Sequence, residues 1–382
     1  MRRLILLCVL VYFHAAGLAH GATDASATEC RPWPAWDGFR KIFMNDGGRI
    51  VDRGSVNSIT TSEGQSYGLF FALVANDRDS FARILKWTEE NLAGGDLTAR
   101  LPGWQWGKRN DDTWGLIDDN AASDSDLWIA YSLIEAGRLW KMPRYAALGE
   151  LLAARVLREE TEVLPELGRT LLPGPKGFKP EKSVWRLNPS YVPPPLMQRL
   201  AAVFPQTEWR RMVAPAVDLM VRSSPRGFAP EWILYKEGAG FLVDAETQGE
   251  GSFNAIRVYL WSGMLAADDP QRALLAKRYA AMVDYIVANG APPLKVDTRS
   301  GSAEGVGTVG FSAAVLPLLA AANQNKTAAD QRLRVIARGT LERDDNYYDQ
   351  VLTLFGVGWM DGHYRFMRNG ALQPNWTCAA PR

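Results

Sequence analysis

Residues 122–140 read ASDSDLWIAYSLIEAGRLW, and this stretch decides the fold. Apolar side chains recur along it at the spacing of helix turns, at Leu127, Ile129, Ala130, Leu133, Ile134 and Leu139. Ser123 and Asp124 at its start are good N-cap residues, and acidic groups favour a helix N-terminus. The stretch therefore predicts a long apolar helix with carboxylates at its first turn.

The same helical periodicity recurs along most of the chain, for example in SYGLFFALVAND (66–77) and YYDQVLTLFGVGWMDG (347–362). About eleven such segments alternate with loops rich in Gly, Pro, Asn and Asp. Alternating strand patterns are few, although TEVLPELGRTLLPG (161–174) fits a short hairpin. No fixed-period repeat of solenoid type occurs. The pattern predicts an all-α domain whose helices close into a double ring.

Composition excludes several classes of function. The chain has 382 residues and a formal net charge of +1, so nothing indicates a nucleic-acid or anionic membrane partner. Its 14 tryptophans suit either a large helical core or flat platforms for sugar rings, and composition alone leaves both readings open.

The N-terminus resembles a secretory signal. Two arginines precede an apolar run that is too short for a membrane span, and small residues follow at positions 19–21. We expect residues 1–21 to be removed, leaving residues 22–382 as one catalytic domain without a membrane span, periplasmic or secreted. Cys30 and Cys378 then remain near the two ends of the chain, and an oxidising compartment favours a disulfide between them. The alternative is two unpaired thiols.

The mature chain would keep a single histidine, His363, which cannot build a multi-histidine zinc site. No nucleophile elbow, phosphate-binding loop or dinucleotide fingerprint is present. We therefore expect no metal and no cofactor, and we expect carboxyl groups to carry out the chemistry.

Three segments supply candidate carboxylates. TTSEGQSYG (60–68) carries Glu63, which either caps a helix from a Thr60-x-x-Glu63 box or lies where a ligand approaches between glycines. Asp124 likewise reads as a cap or as a functional acid. FLVDAETQGEGSFNAIR (241–257) carries Glu246 and Glu250 before a helix that starts near Asn254, with Arg257 one turn on. Asn254 alone reads as a plain N-cap.

Together these segments resemble glycoside hydrolase family 8. Residues 122–132 fit its signature A-[ST]-D-[AG]-D-x-x-[IM]-A-x-[SA] except at Ser125. CRPWPAWDGFRKIFM (30–44), TTSEGQSYGLFFALVANDR (60–78), NPSYVPP (188–194) and AIRVYLWSGM (255–264) are similar to the endoglucanases encoded with bacterial cellulose synthases. The resemblance extends from about residue 30 to about residue 370.

The resemblance implies an (α/α)6 barrel that cuts β-1,4-linked glycans with inversion and without a cofactor. Its substrate would be a cellulose chain, and the cellulose synthase and export complex would be a partner. By position Glu63 matches the general acid, and Asp124 matches the signature aspartate that holds the sugar. Tyr191 matches the tyrosine near the attacking water, and Arg257 the arginine beside the base. Stacking platforms would be Trp104 or Trp106, and Tyr347 would line the groove.

One position breaks the family pattern. The usual aspartate base stands in a YDAIR-like helix start, which here reads FNAIR, so Asn254 replaces it. A neutral amide does not usefully accept a proton from water near neutral pH. Three readings follow: a base relocated to Glu246 or Glu250, weak activity with Asn254 positioning water, or a β-glucan-binding protein with impaired catalysis. Chitosan or xylan would be alternative substrates.

Overall fold

The structure of the protein, a computed structural model, describes residues 32–337 and 346–377. Residues 1–21, Cys30 and Cys378 lie outside the described residues, so the signal segment and the disulfide stay predictions. Among the helices of the described ranges, none is long and apolar enough to cross a membrane.

Helices dominate the fold. In chain order they are α1 (Pro34–Phe43), α2 (Ser62–Val74), α3 (Arg78–Asn91), α4 (Ser123–Trp140), α5 (Pro143–Glu159), α6 (Pro194–Val203), α7 (Trp209–Arg222), α8 (Ala255–Gly263), α9 (Pro270–Arg278), α10 (Ala280–Asn289), α11 (Val309–Ala314), α12 (Leu316–Ala321), α13 (Asn325–Ala337) and α14 (Tyr347–Met360).

Burial divides these helices into two rings. Helices α2, α4 and α8 are buried on nearly all sides, as expected for an inner ring. Helix α5 buries only one face, through Tyr145, Leu148, Leu152 and Val156, as expected for an outer helix. The inner ring consists of α2, α4, α6, α8, α11–α12 and α14. Along the chain, each inner helix packs against the next inner helix, and the outer helices pack behind them. This is the (α/α)6 barrel that the sequence predicts.

The barrel axis is filled by aromatic side chains from four inner helices. Phe70, Trp128, Trp261 and Phe355 lie with ring centroids 4.8–5.5 Å apart. Trp128 and Trp261 are fully buried, as are Trp36 and Trp209 in the outer layer. The core reading of these tryptophans is therefore confirmed, and the sugar-platform reading is restricted to the others.

Short strands lie in the segments that connect the helices and in the segment that follows α14. They are β1 (Thr60–Thr61), β2 (Gln105–Lys108), β3 (Trp114–Asp118), β4 (Thr161–Leu164), β5 (Gly168–Leu171), β6 (Val184–Leu187), β7 (Ile233–Lys236), β8 (Gly240–Val243), β9 (Glu250–Gly251), β10 (Lys295–Asp297), β11 (Ala303–Glu304), β12 (Tyr364–Phe366) and β13 (Leu372–Pro374). All paired neighbours are antiparallel. Strands β4 and β5 form the predicted hairpin, with Thr161 opposite Leu171. The sheet β6–β7–β8 was not predicted.

Inner helices α2, α4, α6, α8 and α11–α12 are each followed by an outer helix that returns the chain, so they run parallel. Helix α14 begins beside the start of α2, where the Tyr347 hydroxyl adjoins Gly64. The N-termini of the inner helices therefore meet at one end of the barrel. Glu63 lies in the first turn of α2 and Asp124 in that of α4. Asn254 immediately precedes α8, and Tyr347 begins α14. The fold thus brings together residues that are far apart in the sequence.

Candidate active site

A cleft of about 340 Å³ opens at this end of the barrel. It contains both polar and aromatic side chains, as expected of a site that binds a sugar chain. Its lining residues are Asp52, Thr61, Glu63, Gly64, Tyr67, Phe253, Asn254, Arg257, Tyr347, Tyr348 and Val351.

Glu63 is positioned by the start of α2. The N-cap is Thr61, whose hydroxyl accepts the backbone N–H of Gly64 at 3.1 Å. The predicted Thr60–Glu63 capping box is therefore wrong, and the Glu63 carboxyl is left for the cleft. Burial, followed by the nearby charge of Asp124, raises the pKa of Glu63 to about 7. Burial thus outweighs the helix N-terminus, which favours the ionised form.

Asp124 is held by Arg257. Its Oδ1 accepts the N–H of Ser125 at 2.8 Å, and its Oδ2 accepts Nη1 of Arg257 at 2.8 Å. The N-cap of α4 is Ala122, so Asp124 does not cap the helix. Burial raises the pKa of Asp124, and the guanidinium opposes that rise. The ion pair favours an ionised Asp124 beside a protonated Glu63, since like charges oppose double ionisation.

Arg257 connects three elements. Besides Asp124 on α4, its Nη1 donates to the hydroxyl of Tyr67 on α2 at 2.8 Å. Its Nη2 donates to Oδ1 of Asn254 at 2.7 Å. The guanidinium also lies 5.6 Å from the ring centre of Tyr191. Arg257 is almost fully buried, so this network fixes the positions of these side chains.

Tyr191 belongs to a 3-10 turn, Pro189–Tyr191, that precedes α6. Nε1 of Trp261 on α8 donates to the carbonyl of Ser190 at 2.9 Å and holds this turn against the inner ring. Tyr191 therefore adjoins Arg257, as the family match implies, although it does not line the cleft itself.

Asn254 precedes α8 without capping it through its own side chain. Its Nδ2 instead donates to Oε2 of Glu231 at 2.6 Å. Oε1 of Glu231 accepts the backbone N–H groups of Ser252, Asn254 and Ala255 at 2.6, 2.9 and 3.1 Å. Asn254 thus occupies the predicted N-cap position of α8, but the carboxylate that accepts the N–H groups at the start of the helix is that of Glu231.

Glu246 and Glu250 lie away from the cleft. Glu246 pairs with Arg186 at 2.8 Å and its side chain is 74% exposed. Glu250 is in β9 and pairs with Lys295 of β10 at 3.1 Å. It lines a separate surface depression rather than the cleft. Neither carboxylate lines the cleft that Asn254 lines.

The aromatic candidates are distributed unevenly. Tyr347 lines the cleft, and its hydroxyl lies 2.4 Å from where a Cβ on Gly64 would stand. Trp104 and Trp106 are partly buried beside β1 and do not line the cleft. Trp106 stacks on Trp114 at 5.4 Å, with the Arg49 guanidinium 4.3 Å from its ring centre. Its ring is therefore already in contact with protein groups.

A second carboxyl pair lies behind the site. Asp126 of α4 and Glu160 at the end of α5 are fully buried and interact through their side chains. No N–H or other donor contacts their carboxyl oxygens among the described residues. Burial, and then the neighbouring carboxyl groups, raise the pKa of both. Two buried carboxyl groups this close do not both ionise readily, so the pair favours a shared proton.

Sequence reasoning missed Glu231, Asp52 and Phe253. Asp52 lines the cleft, and burial raises its pKa. Phe253 is half exposed, and its carbonyl accepts the Tyr348 hydroxyl at 2.7 Å. The position of an aromatic residue directly before Asn254 was a signal that could have identified Phe253. Nothing near Glu231 in the sequence links it to Asn254.

Comparison with known proteins agrees with this architecture. The profile of glycosyl hydrolases family 8 matches residues 14–362. An endoglucanase of Salmonella typhi is 47% identical over 93% of this chain and 94% of its own. The endoglucanase of Escherichia coli strain K12 is 46% identical over 90% and 91%. The crystal structure of endo-1,4-D-glucanase from Vibrio fischeri ES114 superimposes with a TM-score of 0.87, at 45% identity, over 90% of this chain and 99% of the other.

Proposed function

Since the chain belongs to the glycosyl hydrolases of family 8, we propose that it is an endo-β-1,4-glucanase that cuts cellulose-type glucan internally with inversion. The observation that carries this proposal is Glu63. Its pKa of about 7 leaves about nine in ten molecules protonated at pH 6. A carboxylic acid kept neutral in a cleft is what protonation of a glycosidic oxygen requires.

Glu63 donates its proton to the leaving oxygen as the glycosidic bond breaks. Asp124, ionised against Arg257, lies beside it and stabilises the positive charge that develops on the sugar ring. Because Asp124 is fixed by two hydrogen bonds before substrate binds, its charge needs little reorganisation during the reaction.

Among the described residues, the carboxylates that line the cleft are Glu63 and Asp52, and position 254, where the family has its base, holds an amide. Oδ1 of Asn254 is the acceptor available to hold the attacking water, and it is fixed by Arg257. Loss of a general base costs about 10²–10⁴-fold in rate, or about 3–5 kcal/mol of barrier. We therefore expect a slow enzyme whose water is positioned by Asn254, because neither Glu246 nor Glu250 lines the cleft.

The biological setting is part of the proposal. The resemblance to enzymes encoded with cellulose synthases supports a role in cellulose synthesis and export, and the relatives named endoglucanase support the cleavage itself. Such a role requires export of the protein. Expression of the full chain in a bacterium should yield periplasmic or secreted protein whose intact mass corresponds to a start near residue 22.

The activity is tested by viscosity and reducing ends on carboxymethylcellulose. Internal cleavage lowers viscosity before many reducing ends appear. Glu63→Gln removes the proton donor while preserving shape, so the wild type must exceed it. Equal rates for the two proteins would overturn the proposal. Chitosan and xylan assayed in parallel test the alternative substrates.

Asn254 favours one other function, a β-glucan-binding protein without turnover. It predicts that calorimetry detects cellohexaose binding by the wild type, while prolonged incubation releases no shorter products. Detectable cleavage that depends on Glu63 would exclude it.

A further inference from the structure

Glu231 is not among the residues that the sequence predicts for the site, yet its carboxylate bonds the side chain of Asn254 and the start of α8. It lies just before β7, is 9% exposed and does not line the cleft. Its backbone N–H donates to the carbonyl of Glu250 at 2.7 Å. Five hydrogen-bond contacts then join its carboxylate to residues 252–255. Glu231 thus holds the start of α8.

Its contact with Asn254 fixes the orientation of the amide. Arg257 has only donors, and an ionised carboxylate has only acceptors. Oδ1 of Asn254 must therefore face Arg257, and Nδ2 must face Glu231. Arg257 lines the cleft and Glu231 does not, so the amide oxygen is the atom directed to the cleft side.

We propose that Glu231 is a positioning residue of the water-binding half of the site, and that the side chains at 231 and 254 form a pair that carries one negative charge. In this chain the charge is on Glu231, and the neutral member faces the cleft. The proposal rests on the proposed function for its catalytic consequence. Its electrostatic part concerns the folded protein alone.

The side chains at 231 and 254 can carry only one negative charge because the contact between them is short. With Asn254, the 2.6 Å distance joins a donor to an acceptor. A carboxylate at position 254 would place an acceptor against Oε2 of Glu231. Two carboxylates this close do not both ionise, so they share a proton. Arg257 would neutralise only the other oxygen of the introduced group.

Exchanging the two side-chain types should relieve this conflict. In the double variant Glu231→Gln/Asn254→Asp, an amide at 231 donates to a carboxylate at 254, and its oxygen still accepts the backbone N–H groups. The charge then faces the cleft, where it can act as a base. The single variant Asn254→Asp places both charges together instead.

The experiment compares wild type, Asn254→Asp, Glu231→Gln and the double variant on carboxymethylcellulose from pH 4 to 9. We expect the double variant to exceed wild type by about 10²–10⁴-fold at its optimum. The acidic limb of Asn254→Asp should lie about one pH unit or more above that of the double variant. Glu231→Gln alone should lower kcat, because the amide at 254 loses its fixed orientation. Coincident acidic limbs of Asn254→Asp and the double variant would overturn the proposal.

A readout independent of turnover is the free energy of unfolding in urea at each pH. The shared proton raises one carboxyl pKa in folded Asn254→Asp. The stability of that variant relative to the double variant should therefore fall as pH rises through the raised pKa. A constant difference would overturn the pairing. If this difference appears but all four proteins fail to cleave, the pairing stands and the proposed function fails.

Other titratable groups face the pair but are the same in all four proteins, so differences report residues 231 and 254. They are Glu63 and Tyr67 on α2, Asp124 on α4, Arg257 and Tyr259 on α8, Glu250 and Lys295 on the β9–β10 pair, and Tyr348 on α14.

Discussion

Replacing Asp124 by asparagine should lower the pKa of Glu63. Burial is the largest cause of the raised pKa, and the charge of Asp124 is the second. The substitution removes that negative charge. It also leaves Arg257 without its carboxylate partner, so the full positive charge of the guanidinium acts on Glu63. Both changes favour the ionised form of Glu63.

The magnitude follows from the present value. The pKa of Glu63 rises from 4.5 to about 7, which corresponds to about 3 kcal/mol in favour of the protonated form. Because burial remains after the substitution, only part of this rise should be lost. A nearby charge typically moves a carboxyl pKa by about 1–3 units. We expect a fall of about one unit, which converts a largely protonated acid at pH 6.5 into a largely ionised one.

Carbon NMR titration of labelled glutamate carboxyls measures this pKa without any need for turnover. The Glu63 resonance is assigned by its absence from Glu63→Gln. Asp119→Asn is a matched control, since Asp119 is 77% exposed and pairs only with the surface residue Lys176. An unchanged or higher Glu63 pKa in Asp124→Asn, with the control silent, would refute the electrostatic account of the acid.

Three further substitutions test separate parts of the structure. Gly64→Ala places a Cβ 2.4 Å from the Tyr347 hydroxyl, so the Tyr347 side chain must move within the cleft. Calorimetry should therefore show that the affinity for cellotetraose falls by about tenfold, and an unchanged affinity would contradict this. Glu250→Gln removes a half-exposed ion pair outside the cleft, so activity should stay within about twofold of the wild type and the free energy of unfolding within about 1 kcal/mol. A large loss of activity would instead indicate that Glu250 acts as the general base. Asp126→Asn tests the buried carboxyl pair. Because the pKa of Asp126 and Glu160 is raised in the folded protein, their contribution to stability is present below the ordinary carboxyl pKa and is lost as pH rises through the raised pKa. In urea, the free energy of unfolding of the wild type should therefore fall relative to that of the variant by up to about 1.4 kcal/mol per pH unit, and parallel stability curves would contradict this.

The fold could be predicted from the sequence because the apolar spacing of a helix recurs in segment after segment of the chain. Helix α4 was predicted from apolar spacing that the structure places in the inner ring, and the hairpin β4–β5 from turn residues between two short apolar runs. The sheet β6–β7–β8 escaped prediction because its partners come from segments about fifty residues apart, as with Val184 opposite Lys236. Local periodicity cannot report pairing at that distance.

The site was accessible only in part, for a similar reason. Glu63, Asp124 and Arg257 converge in the structure, and the family resemblance supplied their identity. The capping readings failed because Thr61 and Ala122, rather than their neighbours, occupy the N-cap positions. Glu231 was missed because it acts on Asn254 from 23 residues away, where no motif connects the two.

The most direct test of the account is proton NMR of cellohexaose during its first minutes of hydrolysis. Inverting cleavage by Glu63 with water held at Asn254 predicts that the new reducing ends appear first as the α-anomer, in internal fragments, and that Glu63→Gln forms none. Initial β-anomer, or product formation by Glu63→Gln at the wild-type rate, would contradict the account.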